Sequence, residues 1–276
     1  ANIEFDPVAM DVSDFRDVMA VFDKHPDITH AIHLAYVMGP LVDENSSLST
    51  RVNILGMTHM FEAAVHRKFA RLVFTSSETV YGPTQNSYGD RPVTEDDFCD
   101  PATHTFTYAV MKLLNEHMAR RYVARTGTSI VCARPPVVFG HGRKRSAVMW
   151  AEHFASKPAV GQPVTLPFGP ETRDTWIYKD DCAEQLVRLA LKPQLAHFAY
   201  NSGGQCVSAS QLATIVKKWL PEAQIGFDTK ASGTPLIDNQ DGTRLIREID
   251  FAPRPLEEGV RAHINEARAS AGLPPV

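Results

Sequence analysis

Three short apolar runs separated by long helical patterns constrain this fold more than any other feature. THAIHLAYV at 29–37, RLVFTSS at 71–77 and SIVCARPPVVF at 129–139 are rich in β-formers and read as buried strands. Between the first two runs lies a helical pattern from about Leu48 to His66. Between the second and third lies another, from about Phe106 to Arg125, closed by Gly127 as a C-cap. Strand, helix, strand, helix, strand predicts parallel βαβ units with right-handed crossovers.

The flanks are less regular. NIEFDPVAM at 2–10 reads as a strand, and Asp11, Ser13 and Asp14 offer caps for a helix reaching about Lys24. Beyond Gly140 the spacing predicts a helix near 146–156. A loop-rich stretch through Gly161, Pro163, Pro167, Gly169 and Pro170 follows. A strand at 174–178 precedes a helix at 180–191, whose Asp180 and Asp181 suit its N-terminus. Helices at 209–219 and 256–270 complete the reading.

Composition narrows the classes. A chain of 276 residues with 43% hydrophobic and 22% charged residues can bury a substantial core. Its net charge of -4 argues against a nucleic-acid partner. No run approaches the roughly 18 apolar residues of a membrane helix, and no charged-then-apolar leader is visible. The four cysteines, Cys99, Cys132, Cys182 and Cys206, show no CxxC spacing and predict reduced thiols, hence a cytoplasmic protein. His30 and His33 are three apart on a predicted strand, so they point to opposite faces, and no metal site is expected.

Tyr108 and Lys112 carry the first chemical signal. Spacing of four on the long middle helix puts both side chains on one face. A nearby ammonium favours the phenolate and lowers a tyrosine pKa from about 10. That is the requirement for moving a proton at an alcohol or carbonyl. With seven tyrosines in the chain, chance supplies such a pair in roughly a third of similar sequences, so its surroundings matter. Ser76 and Ser77 end a predicted buried strand, at the carboxyl edge where open parallel sheets bind ligands. Arg134-Pro135-Pro136 ends the next strand at the same edge.

Around this pair runs an ordered set of motifs. FTSSETVYG at 74–82, IHLAY at 32–36, VNILGMTHMFEAA at 52–64, DVSD at 11–14, ARPPVVFG at 133–140 and RDTWIYKDDCAEQLVRLAL at 173–191 stand in sequence order. YNSGG at 200–204 and the closing segment from Pro253 to Ile264 follow. Together they resemble the extended short-chain dehydrogenase/reductases of the NAD-dependent epimerase/dehydratase type, over nearly the whole chain.

The resemblance implies an α/β fold: a Rossmann-like doubly wound parallel sheet with a smaller mixed α/β C-terminal substrate domain. It assigns residues 1–140 plus about 174–205 to the dinucleotide and 141–173 plus 206–276 to the substrate. It implies NAD or NADP as cofactor and hydride transfer at a secondary alcohol of a sugar, sugar acid or nucleotide sugar. Tyr108 is then the acid/base, Lys112 its partner and ribose ligand, and Ser77 the hydrogen-bond partner of the reacting oxygen. Asp11 and Val12 flank adenine. Leu34, Ala35, Asn53 and Thr75 line the dinucleotide, with Pro135 and Val137 near the nicotinamide. Arg173 matches an arginine that binds substrate phosphate, and Glu78 occupies a substrate-facing acidic slot. The helices at 48–67 and 106–125 often form a dimer interface in such enzymes, so a homodimer or higher homo-oligomer is implied.

The chain also departs from the pattern. Its sixteen glycines include no G-x-x-G-x-x-G spacing, the loop that lets a pyrophosphate approach a helix N-terminus. The expectation is an N-terminally truncated sheet, with the first two strands absent. Its raw edge near 30–36 would be covered by a rearranged segment 1–12 or by a partner subunit. Without strand two, nothing in the sequence chooses NAD over NADP. Val137 stands where nucleotide-sugar enzymes often have Asn and cannot supply that hydrogen bond. Ser77-Glu78-Thr79 carries one carboxylate where dehydratases use two, which disfavours plain dehydration. The alternative reading is a cofactor-deficient pseudoenzyme that acts as a binding or scaffold protein. Arg143, Lys144 and Arg145 read as a solvated basic loop, with contact to an anionic substrate as the alternative; His104 and His141 read as exposed loop histidines, with approach to the site as the alternative.

Overall fold

The computed structural model describes residues 5–144, 146–231, 233 and 235–276. Helix α1 (Phe15–Lys24) begins where Asp14, in extended conformation, accepts the Arg16 N–H. Strand β1 (His30–His33) leads to two single-turn helices, α2 (Leu41–Glu44) and α3 (Ser46–Ser49). These run through a π-helical stretch, Thr50–Gly56, into α4 (Met57–His66). The expected helix over 48–66 is therefore present but irregular. Gly56 lies where Val12 crosses the helix: a Cβ there would meet the Val12 Cγ2 at 2.8 Å.

Strand β2 (Arg71–Thr75) precedes the long helix α5 (Thr107–Thr126). Gly127 ends α5 with φ 71°, a left-handed cap that L side chains resist. The predicted strand at 129–139 is divided into β3 (Ile130–Arg134) and β4 (Val137–Phe139). Pro135 and Pro136 lack the N–H groups a ladder needs. Next come α6 (Trp150–Ala159), β5 (Val164–Leu166), β6 (Arg173–Tyr178) and α7 (Lys179–Leu191). Then follow β7 (Ala199–Asn201), β8 (Gln205–Ser208) and α8 (Ala209–Trp219), the last opened by a Ser208/Gln211 capping box. Strand β9 (Ile225–Phe227), α9 (Thr243–Ile249) and α10 (Leu256–Ser270) complete the order.

Among the described residues the central sheet has the order β1-β2-β3-β7, with every pairing parallel. Alternation along its strands explains the two buried faces. Leu72, Phe74, Ile130 and Cys132 pack with Phe61 and Met57 of α4, Ala119 of α5 and Val18 and Phe22 of α1. Val73, Val131 and Ala133 point the other way, onto Leu186, Leu189 and Ala190 of α7 and Leu245 of α9. A parallel sheet covered by helices on both faces is the Rossmann-like architecture that the sequence implied.

A second layer adjoins it. Strands β4, β6 and β8 form one small sheet, β5 and β9 another. Phe139, Trp150, Phe154, Trp176 and Tyr178 build an aromatic core there with Val260 and Ile264 of α10.

β1 is an end strand of the central sheet. Ile32 is 36% exposed and Leu34 58%. The strand expected at 2–10 is not found over 5–10, which take no regular structure; residues 2–4 lie outside the described residues. Pro7 removes a ladder donor, and the Asp11 carboxylate turns back to accept the Ser13 N–H at 2.9 Å. Residues 5–12 thus add no strand to this edge, and of the two expected covers the partner subunit is the one left.

Candidate active site

Helix α5 presents Tyr108, Lys112 and Glu116 at intervals of four, along one face toward the sheet. Glu116 fixes the register. Its Oε1 accepts from Ser76 Oγ at 2.5 Å and Arg134 Nε at 2.9 Å, and its Oε2 from Arg134 Nη2 at 2.7 Å. Both partners of this ion pair are almost fully buried. Arg134 Nη1 also donates to Tyr81 Oη at 2.7 Å, and Tyr81 Oη donates to Asn201 Oδ1 at 2.8 Å. A bidentate, hydrogen-bonded pair of this kind satisfies charges that could not otherwise be buried. It ties α5 to the carboxyl ends of β2, β3 and β7.

That register brings Lys112 and Tyr108 to the end of β2. Lys112, 2% exposed, donates from Nζ to Thr75 O at 2.6 Å. The same nitrogen sits 3.5 Å from the Tyr36 ring centroid and 5.5 Å from that of Tyr108. The Tyr36 and Tyr108 rings meet edge-on at 5.5 Å. Tyr108 is half-buried, with its hydroxyl hydrogen-bonded to Ser77. Ser77 Oγ also accepts the Thr79 N–H at 3.2 Å. Ser77, Tyr108, Lys112 and the Thr75 carbonyl therefore converge on the sheet edge where such folds bind ligands.

The electrostatics correct one expectation. Burial pushes the Tyr108 phenol up to about 12, with the Glu78 carboxyl adding to the rise; the Ser77 hydrogen bond and Arg143 oppose it. Burial also brings Lys112 down to about 7. The ammonium expected to lower the phenol is itself weakened by desolvation and directed at Thr75 and Tyr36. In this form Tyr108 is a proton donor at neutral pH.

The other predicted residues divide. Leu34 and Ala35 are exposed beyond the end of β1, as an apolar shelf. Glu78 is buried beside Ser77 with Oε2 unpartnered among the described residues. Pro135 is half-buried, and its carbonyl accepts the Glu78 N–H at 3.0 Å. Asn53 is fully buried in the π-helical stretch: its Oδ1 accepts the Val37 N–H at 2.7 Å and its Nδ2 donates to Val37 O at 3.0 Å. It positions the segment after β1. Val137 is 3% exposed and packed in the second-layer core. Val12 is wedged against Gly56 with its carbonyl on His59 Nδ1, and Asp11 is occupied with Ser13 and Asp17. Arg173 is exposed and donates to Cys206 Sγ.

Sequence reasoning missed four neighbours. Arg143 is not a solvated loop cation: it donates to Ser146 Oγ at 2.9 Å and Val138 O at 2.5 Å, and burial lowers its pKa. Its charge reaches Tyr108. Lys144 is exposed, and Arg145 lies outside the described residues. Glu116 was visible as the next residue on the Tyr108–Lys112 face. Asp174 is brought to Glu78, and Asp238 to Asp174, only by the fold. Burial and Asp238 raise Asp174 to about 8, and burial and Asp174 raise Glu78 well above the carboxylate range.

Asp174 gives a stability prediction with a definite sign. Its folded value is about 8 against 3.8 for the free side chain. Between these, the native protein holds a proton that the unfolded chain releases, so stability falls as pH rises through that window. Asp174→Asn removes this loss. Urea unfolding at pH 9 should show a gain on the order of 2–4 kcal/mol over the parent, absent at pH 4.

A model of the NAD dependent epimerase/dehydratase family matches residues 2–203. The chain belongs to this family. Among its relatives is the uncharacterized protein MJ1055 of Methanocaldococcus jannaschii, 25% identical over 264 residues, 94% of this chain and 77% of that one. The uncharacterized UDP-glucose epimerase YtcB of Bacillus subtilis is 25% identical over 206 residues, 73% of this chain and 61% of YtcB. L-Threonine dehydrogenase from Clostridium difficile superposes with a TM-score of 0.84 at 18% identity, covering 97% of this chain and 84% of its own. UDP-glucose 4-epimerase of Thermus thermophilus, solved with NAD, gives a TM-score of 0.75 at 21% identity, covering 95% and 84%. The likeness to these two structures is one of fold. Family membership makes the chain an NAD(P)-dependent enzyme of the epimerase/dehydratase type.

The residues at the sheet edge fit one half of that cofactor. Lys112 has three N–H donors, and Thr75 O accepts from its nitrogen, so donors remain for ribose hydroxyls. Leu34 and Ala35 supply a flat apolar surface next to it. The diphosphate half has no glycine loop in this sequence.

Proposed function

We propose that this chain catalyses reversible hydride transfer at a secondary alcohol, with Tyr108 moving the hydroxyl proton. The observation that carries this reading is the convergence of Ser77, Tyr108 and Lys112 at the carboxyl end of β2. In oxidation, the alcohol O–H proton passes to ionised Tyr108 while the C–H bond breaks, its electron pair leaving with the hydrogen as hydride, and a carbonyl forms; reduction is the reverse, with protonated Tyr108 as donor. NAD(P), when bound, supplies the hydride acceptor or donor. Ser77 donates to the reacting oxygen and holds it beside the phenol. Lys112 binds the ribose and, when protonated on doing so, draws the phenol toward its ionised form.

The substrate is read as sugar-like: a sugar, sugar acid or nucleotide sugar. The 4-hydroxyl of UDP-glucose and the 3-hydroxyl of threonine, named for the similar structures, are both secondary alcohols, and the proton chemistry here suits either. The wide second layer, 141–173 and 206–276, is assigned to the substrate, with Glu78 and Arg173 as its polar contacts. Incubating the protein with NAD or NADP and a panel of such alcohols should produce reduced nicotinamide with one class. A folded protein that turns over none of them contradicts the reading.

A homodimer accompanies this proposal. Leu55 in the π-helical stretch and Val110 and Leu114 on α5 are exposed apolar residues on the helices that border the site. Light scattering should give twice the monomer mass, and Leu114→Glu should shift it toward the monomer with the fold retained.

A further inference from the structure

Three potential ligands converge from three elements of the second layer. His141 lies in the loop after β4, Glu152 in the first turn of α6 and His263 in the middle of α10. One ligand atom from each lies within 4.8 Å of the other two. His141 Nδ1 and Glu152 Oε1 are 3.3 Å apart.

We propose that His141, Glu152 and His263 form a binding site for a divalent transition metal of the zinc class, independent of the Tyr108 site. Tetrahedral zinc with bonds of about 2.0–2.1 Å sets its ligand atoms roughly 3.4 Å apart. The His141–Glu152 edge already has that length. The remaining edges lie within 4.8 Å, and metal binding would draw them in. Two imidazoles and a carboxylate are a zinc-type donor set, with too little oxygen for calcium or magnesium.

The surroundings support the assignment. His263 is fully buried and Glu152 8% exposed, so ligands here are shielded from competing water. Ser156, one turn after Glu152, places its Oγ 3.1 Å from His141 Nδ1 and 2.8 Å from His263 Nε2. It stands where a fourth ligand or a bound water would be held. The hydrogen bonds alone leave His263 Nδ1 buried without a partner among the described residues, an arrangement that costs stability. Arg143 and Lys179 bring positive charge nearby, which Glu152 offsets on binding. His153 Nε2, 3.8 Å from the second Glu152 oxygen, can orient the carboxylate. A metal here would join α6 to α10 and anchor the loop that carries Arg143.

The test uses tag-free, chelator-treated full chain. Titration with cobalt(II) should give visible bands of tetrahedral intensity that saturate at one equivalent and are displaced by zinc. Zinc should raise the Tm. His141→Ala, at a half-buried position where the fold survives, should weaken binding by about 100-fold and abolish the Tm increase. His117→Ala, at an exposed histidine on α5, should change neither. Binding without defined stoichiometry, or binding unaffected by His141→Ala, would overturn the proposal.

Discussion

Tyr108→Phe lowers kcat by about 10²–10⁴-fold while leaving dinucleotide binding within a few-fold of the parent. Phenylalanine keeps the ring that packs edge-on against Tyr36 and loses only the hydroxyl bonded to Ser77. The loss falls on proton transfer, so kcat should move much more than KM. The pH dependence separates the two directions. Because burial holds the phenol near 12, reduction of a carbonyl has its proton donor in place at neutral pH. Oxidation needs the ionised form, so its rate should rise with pH as far as the fold survives. Stopped-flow rates for both directions of the parent would show this asymmetry. Equal pH profiles would mean another group carries the proton.

Glu116→Ala destabilises the protein by about 3–5 kcal/mol, the cost of leaving a buried guanidinium without its partner. Arg134 would keep Tyr81 Oη, the Tyr81 ring 4.9 Å away and little else. Ser76 Oγ would lose its acceptor as well. Replacing the pair together, Glu116→Leu with Arg134→Met, should recover most of the stability, because the desolvation cost of both charges disappears. Activity should not recover with it. The pair sets how far α5 stands along the sheet, and Tyr108 and Lys112 lie two turns and one turn before Glu116 on the same helix. Urea unfolding and kcat on the same three proteins separate stability from positioning.

Much of this design was legible in the sequence, for identifiable reasons. Residues 71–75 and 130–134 announce themselves because strands buried on both faces are continuously apolar. Helix α5 was bounded by Gly127, which accepts a left-handed φ, and α10 by its periodicity. The Tyr108–Lys112 spacing is a local property of a helix and needs no tertiary knowledge. What stayed hidden depends on contacts far apart in the chain. Glu116 meets Arg134, Glu78 meets Asp174 and His141 meets His263 only once the sheet and layers are assembled. Desolvation is likewise tertiary, so the phenol expected to be lowered by Lys112 is raised instead. The strand expected at 2–10 failed over its described part because alternating apolar residues say nothing of whether an edge is near enough to pair. The irregular helix over 50–56 has no sequence signature beyond Asn53, whose amide prefers the Val37 backbone.

If this sheet edge holds a nicotinamide dinucleotide beside Tyr108, titration of the parent and of Lys112→Met with NADH and NADPH will show it. Saturable micromolar binding of at least one of them is expected, weakened about tenfold or more when the Lys112 donors are removed. Folded protein that binds neither, or binding indifferent to Lys112, would contradict it and leave a binding or scaffold role for the chain.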